Sequence, residues 1–363
     1  MPNPPTPLAI TGLGLASSLG GAVAGIAAAR AGIARSRALD EQVFDPSANE
    51  AVPVLGHEVV TARGFEGAGR YCVLVDAALR DLAQQAESEP VQHVTLLLSD
   101  GTLFAAATRR GMLADEDPSA SVDEIVQEAE LARRADLRAR VVPFVAERVG
   151  CTPAAIDVVH GGRAALIGAL ADLAPGPRLV ICVDSLLDPP ALRALTELGL
   201  CKGPEHPAGT IPGEAAVALR VDVPAHGAVC ITAANVRDGA SGRFSGEPPD
   251  GRTLASVVAR ATAAFPRAGA ALSRAIGSLN GDPWQAMEWG TALVGCPPIV
   301  RTLPLWSPAQ AFGETGVCGA ALGVACAATA LRRGYGAGAA LVWALADDGQ
   351  CGALVVADRA AIN

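Results

Sequence analysis

Apolar and polar positions along the chain sort into short runs with two different periods. Unbroken apolar stretches of strand length, such as Leu179–Val183 and Ala339–Trp343, predict strands of a sheet covered on both faces. Between them lie longer amphipathic or small-residue segments that predict helices. The first half predicts a strand and Gly turn over residues 8–20, a helix over 69–85 and a strand over 93–101, then a Gly-led helix over 160–174 and strands over 177–187 and 213–222. From residue 228 a similar order returns: strand 228–241, helix 250–265, strand 270–282, helix 313–331, and strands 339–349 and 351–360. Six elements followed by six in the same order predict a duplicated α/β unit, one half over residues 1–224 and the other over 225–363, with "VPAHG" (223–227) as the joint.

Two such halves side by side bury helices between their sheets. A helix wedged there and facing its counterpart must be thin, which accounts for the Gly and Ala content of "HGGRAALIGALADLA" and "GETGVCGAALGVACAATAL". Extra material lies between Gly101 and Val149 and predicts an inserted cap. Its segment "SVDEIVQEAELARRADLRARV" opens on a capping box, Ser121 with Glu124, and carries Arg133, Arg134, Arg138 and Arg140 towards its end, the charge order that a helix dipole favours. It reads as a solvated surface helix or as a lid or partner-docking arm.

Composition narrows the function classes. Half of the 363 residues are hydrophobic, aromatics make up 4% and the mean hydropathy is +0.33, which excludes a disordered chain. The formal charge of −9, with no free basic stripe, argues against nucleic acid as a partner. Nine cysteines are dispersed through apolar runs without any CxxC or CxxH spacing, so buried reduced thiols are expected and no metal site. The uncharged run over residues 7–29 is broken by Gly12, Gly14, Ser17, Ser18, Gly20 and Gly21 and follows no basic residue. It is read as neither a leader nor a membrane span, which predicts a cytoplasmic protein with no membrane partner.

Local motifs add little chemistry. "GLGLAS" mimics a dinucleotide loop but has Ser17 at its third small position, so no cofactor is expected. "GASGR" (239–243) has neither the spacing nor the setting of a nucleophile elbow, and Cys151 sits in a turn without a base. Trp284 and Trp289 flank the turn "NGDPWQAMEWG" as expected core anchors.

The duplicated order, together with "ITGLGLASSLG", "GTIPGEAAVALRV", "NGDPWQAMEWG" and "GETGVCGAALGVACAATALRRG", resembles the β-ketoacyl synthases of the thiolase superfamily along nearly the whole chain. The resemblance implies a five-layered αβαβα fold, a dimer formed through the first half, and an acyl tunnel that meets the catalytic centre between the two central helices. It also implies a Cys at the start of the first central helix, two second-half histidines and a lysine. Matching the Gly and Ala pattern places His160, or a neighbouring glycine of "VHGGRAAL", at the Cys position, Glu314 at the second histidine, Ala309 at the lysine, and Arg274 or Ser278 at the first histidine. Thr210 falls on the aromatic gate. The histidines are His57, His93, His160, His206 and His226 and the only lysine is Lys202, so the half beyond the joint cannot supply the condensing set.

The resemblance therefore implies a catalytically degenerate ketosynthase-like protein. It would act as a non-condensing partner in the manner of chain-length factors, as a scaffold, or as a secretion-associated adaptor. Implied partners are a second copy or an active ketosynthase, and an acyl carrier protein or another protein client. The competing reading keeps chemistry: His160 and Glu314 facing each other at two helix starts as an acid/base pair for acyl-thioester transfer or hydrolysis. Gly161, Gly162, Thr210, Ser278, Asn280, Asp282 and Gly313 are the candidate pocket residues in either case.

Overall fold

The apolar residues of Leu8–Ala16 form strand β1, buried at every position but Thr11. A computed structural model describes residues 7–85, 91, 93–114, 122–174, 176–224, 228–265, 271–336 and 338–358. After β1 come α1 (Ala22–Arg30), a hairpin of β2 (Arg37–Asp45) and β3 (Glu50–Gly56), α2 (Gly67–Gln85), β4 (Val94–Ser99), α3 (Thr102–Ala114) and α4 (Val122–Val149). The half ends with β5 (Ile156–Gly161), α5 (Ala165–Ala171), β6 (Arg178–Ser185), α6 (Pro189–Glu197) and β7 (Glu214–Asp222). The second set runs β8 (Val229–Arg237), α7 (Arg252–Ala264), β9 (Leu272–Gly277), α8 (Pro283–Gly295), α9 (Pro298–Arg301), β10 (Leu305–Trp306), α10 (Ala309–Phe312), α11 (Gly319–Arg332), β11 (Ala339–Leu345) and β12 (Cys351–Asp358).

The strand order is β10-β9-β11-β12-β8-β1-β7-β6-β4-β5, a mirrored arrangement about the β8–β1 seam. On one side β1, β7 and β6 pair antiparallel and β6, β4 and β5 pair parallel. On the other, β8, β12 and β11 pair antiparallel and β11, β9 and β10 parallel. The two sets are not separate sheets. Leu8 pairs with Ile231 and Ala9 with Cys230, so one hydrogen-bonded array crosses the seam. The division expected at 224/225 falls between β7 and β8, and residues 225–227 of the joint lie outside the described residues.

The inner helices α5 and α11 pack against each other and against strands of both sets, whereas α2 covers β1, β7 and β6 and α7 covers β8 and β12. This is the mirrored α/β arrangement around two inner helices expected from the chain. Burial of α11 is nearly complete from Ala320 to Leu331, and its core neighbours include Leu166, Ile167, Val217, Ile231 and Val342. The uncharged run over residues 7–29 folds as β1, a turn and α1. Among the described residues no helix is long and apolar enough to cross a membrane.

Two local expectations change. "HGG" does not open a helix: His160 and Gly161 end β5, and α5 begins at Ala165. The cap is also not a free arm along its length. Leu137, Val141, Val142, Val145 and Ala146 bury one stripe of α4 in the core beneath α2, with Tyr71 and Leu74. Their helical spacing is what fixes that half of α4 to the body. Ser121 of the expected capping box lies outside the described residues.

The thinness of α11 has a direct cause at Gly323. A Cβ there would meet Val342 Cγ1 at 2.9 Å, and Val342 is itself fully buried. Gly323→Val is expected to destabilise the protein by about 1–3 kcal/mol, the usual cost of overpacking a dense core, read as a lower urea midpoint. An unchanged midpoint would mean that α11 is not wedged against β11.

Candidate functional site

Glu314, Asn280 and Ser278 meet where the chain enters the inner helices, around a side chain outside the expected set. Arg163 lies in the turn between β5 and α5, with its guanidinium buried. Its Nε donates to Glu314 Oε2 at 2.9 Å and its Nη2 to Asp347 Oδ2 at 3.1 Å, while Nη1 lies 3.0 Å from Asp347 Oδ1 and 3.3 Å from the Leu345 carbonyl. Gln285, fully buried on α8, joins with its amide oriented so that the oxygen accepts from Arg163 Nη1 at 3.1 Å and the nitrogen donates to the Ser278 carbonyl at 2.7 Å.

Glu314 has three donors. Besides Arg163 it accepts from Asn280 Nδ2 and from the Gly316 N–H at 2.8 Å, which opens the short 3-10 turn Gly316–Cys318 before α11. This explains a lone acid at the start of an apolar helix: it satisfies an amide of the entering turn and balances a buried cation from the other half. Burial alone would lower the pKa of Arg163, but Asp347 and Glu314 together override it and hold the guanidinium above its ordinary value. The network extends through Arg243, which is paired with Asp282, and Asp282 in turn caps α8 by accepting the Trp284 N–H at 3.0 Å.

His160 does not join this arrangement. Its Nδ1 faces the Ser99 carbonyl at 3.1 Å, and the described residues show no hydrogen bond between it and Glu314. Burial lowers its pKa, only partly opposed by the Ser99 carbonyl, and Arg134 and Arg138 push in the same direction as burial. The expected facing pair is thus replaced by Arg163 with Glu314, because the side chain three residues further on reaches the centre.

Of the candidate pocket residues, Gly161 and Gly162 line a cavity of about 30 Å³ beside Arg163, Asp184 and Glu314. Ser278 and Gly313 line a second of about 10 Å³. Asn280 bonds Glu314, and Asp282 is the helix cap. Thr210 is buried in a bridge with Cys201 and lines neither cavity. A side chain at Gly162 would collide with Ala346, its Cβ lying 2.7 Å from that of Ala346. Arg274 is elsewhere, donating to the Tyr335 carbonyl at 3.3 Å, and Ala309 begins α10.

A second buried network braces the first-half side of the centre. Glu214, fully buried, accepts from Arg70 Nε at 2.6 Å, from Ser185 Oγ at 2.7 Å and from the Val59 N–H at 2.8 Å, which ties α2 to β7. Neighbouring Asp184 accepts from the Tyr71 hydroxyl at 2.8 Å and from the Val317 N–H at 3.1 Å. Burial pushes its carboxyl up to about 6 despite these donors. Burial raises the pKa of the Cys182, Cys318 and Cys326 thiols. Trp289 stacks on Trp343 with centroids 4.2 Å apart, as a core anchor should.

No protein-family model matches the chain, and no curated protein matches it in sequence. Solved structures do match in fold. The chain is similar to the ishigamide ketosynthase/chain length factor, with a TM-score of 0.67 and 18% identity, covering 97% of this chain and 99% of that one. The AntDE:AntF complex, a type II polyketide acyl-carrier protein with its ketosynthase, gives a TM-score of 0.68 and 13% identity over 97% and 99%. A β-ketoacyl synthase from Burkholderia phymatum gives 0.63 and 16% over the same shares. The chain thus has the fold of these ketosynthase structures.

The buried histidine beside the Gly313 turn gives a pH prediction. His57 has no partner for Nδ1, and burial lowers its pKa to about 4. The unfolded chain takes up this proton near the ordinary value of 6.5 while the folded chain resists, so the contribution of His57 falls as pH drops through that interval. Asp184 acts oppositely, since its folded carboxyl takes a proton near 6 and its unfolded one near 3.8. Relative to wild type, His57→Leu is expected to gain about 2 kcal/mol between about pH 7 and about pH 5, measured by urea denaturation at each pH. Parallel pH profiles would show that His57 titrates normally in the fold.

Proposed function

We propose that this chain, built on the ketosynthase-like fold of the thiolase superfamily, works by binding and not by condensation, as the non-condensing partner of an active ketosynthase. The observation that carries this reading is the Arg163–Glu314–Asp347 network at the starts of the inner helices, beside a cavity of about 30 Å³. That volume holds about one water, whereas condensation needs two acyl groups held at reacting distance beside a nucleophile. Glu314 is engaged by a cation, an amide side chain and a backbone N–H, so both of its oxygens are already turned to neighbours within the chain.

A heterodimer with a synthase is the assembly this reading requires, in the manner of the ketosynthase/chain length factor it resembles in fold. An acyl carrier protein, the partner in the AntDE:AntF complex, would then dock on the assembly. A homodimeric scaffold is the variant of the same reading without a synthase. Thioester hydrolysis through His160 and Glu314 has less support, because the two side chains bond to different neighbours.

Co-expression with an active type II ketosynthase is expected to yield a stable heterodimer by size-exclusion chromatography. The chain alone is expected to show no mass shift on incubation with acyl thioesters and no carbon–carbon bond formation. His160→Ala should leave thioester turnover at its background rate. An acyl adduct, or turnover lost in that variant, would overturn the reading in favour of an enzyme.

A further inference from the structure

The chain carries a formal charge of −9, yet arginines from three elements gather where α11 ends, about 20 Å along the helix from its start. The helix closes on Arg332, Arg333 and Gly334, the last at φ +70°. The Gly334 and Tyr335 N–H groups return to the Leu331 and Ala330 carbonyls at 3.0 and 3.1 Å. This turn brings Tyr335 back to arginines from two other elements. The guanidinium of Arg30, the last residue of α1, lies 3.9 Å from the centre of the Tyr335 ring. Arg274 of β9 donates from Nη2 to the Tyr335 carbonyl at 3.3 Å. Arg30, Arg274 and Arg333 all lie close enough to the Tyr335 hydroxyl to favour its ionised form.

Arg30, Arg332 and Arg333 are exposed and Arg274 is half-buried. None of the four makes an ion pair among the described residues. Arg274 Nε has no hydrogen-bond partner among them either. Arg332 donates from Nη2 to the Ile10 carbonyl at 2.6 Å, and burial lowers its pKa with no carboxylate opposing. The carboxyl ends of α1 and α11 supply some balance, about half a negative charge each. At α11 the closing turn already occupies two of the carbonyls. About three of the four positive charges are therefore left without a counterpart, and gathered like charges repel unless an anion sits among them.

We propose that the turn after α11 binds a doubly charged oxyanion, a phosphate group either free or esterified on a small molecule, through the exposed guanidinium groups of Arg30, Arg332 and Arg333. Guanidinium forks pair with phosphate oxygens two at a time, and a lone carboxylate would balance only about one of the three spare charges. The cluster is confined to one turn and its neighbours, which fits a compact anion and not an extended acidic segment. The site lies at the other end of α11 from Glu314, so it holds or fails independently of the reading of the Arg163 centre.

The test is calorimetric titration of the full chain with inorganic phosphate, glycerol 3-phosphate and acetate at fixed ionic strength and about pH 8, where the phosphates carry close to two charges. Saturable one-to-one binding of a phosphate is expected, with acetate weaker by about tenfold. Equal affinity for the two phosphates assigns recognition to the phosphate group alone; tighter binding of glycerol 3-phosphate assigns the site to an esterified ligand. Arg30→Gln and Arg333→Gln are each expected to weaken phosphate by about fivefold, in keeping with one exposed ion pair. Arg333→Glu is expected to abolish binding, whereas Arg193→Gln, an exposed arginine on α6, should leave it unchanged. Arg30→Gln also loses the Tyr335 ring contact, so if it fails to fold the two Arg333 variants decide. No saturable binding of either phosphate, acetate binding as tightly, unchanged affinity in Arg333→Glu, or an equal loss in Arg193→Gln would overturn the proposal.

Discussion

A buried guanidinium has to be neutralised, and in this protein that requirement fixes how the two halves meet. Arg163 comes from the first half. The groups that neutralise and hydrogen-bond it, Glu314, Asp347, Gln285 and the Leu345 carbonyl, come from the second. Removing a cation from water costs several kcal/mol, and that cost is recovered only where the partners are close and well oriented. The network thus tolerates little displacement of α5 and β5 relative to α11 and β11. Removing Arg163 would leave Glu314 and Asp347 without the cation they share.

The same geometry decides what the centre can do. Glycines at 161, 162, 313 and 316 bring backbone close to the ion network, and the space that remains is the size of a water molecule. Charged groups are abundant there, and Arg163 and Glu314 are engaged by each other and by neighbouring side-chain and backbone groups. Asp184 and Glu214 extend the bracing outward to α2 through Tyr71 and Arg70.

Much of the fold was legible because strands buried on both faces are apolar throughout and because the order of elements repeats. The hairpin of β2 and β3 was not: its inner side, with Leu39, Val43 and Val54, is interrupted by Glu41, and Phe44 and Leu55 lie exposed, so no clean alternation marks it. At the site, Glu314 could be singled out as a lone acid, but its partner could not be chosen by chemical reactivity. His160 is the more versatile group, yet it ends a strand and faces Ser99. The signal that pointed to Arg163 was charge: it is the only formal charge between Asp157 and Asp172, as Glu314 is between Arg301 and Arg332. Two lone opposite charges in matched apolar segments call for each other.

The most direct test of this account is a double-mutant cycle on Arg163 and Glu314, comparing Arg163→Met, Glu314→Leu and the double variant by equilibrium denaturation. The account predicts that each single change costs about 3–5 kcal/mol and that the double variant costs less than the two added together, with a coupling of about 2 kcal/mol or more. Strict additivity would show that the two side chains do not neutralise each other, and would contradict the claim that this ion pair holds the halves together.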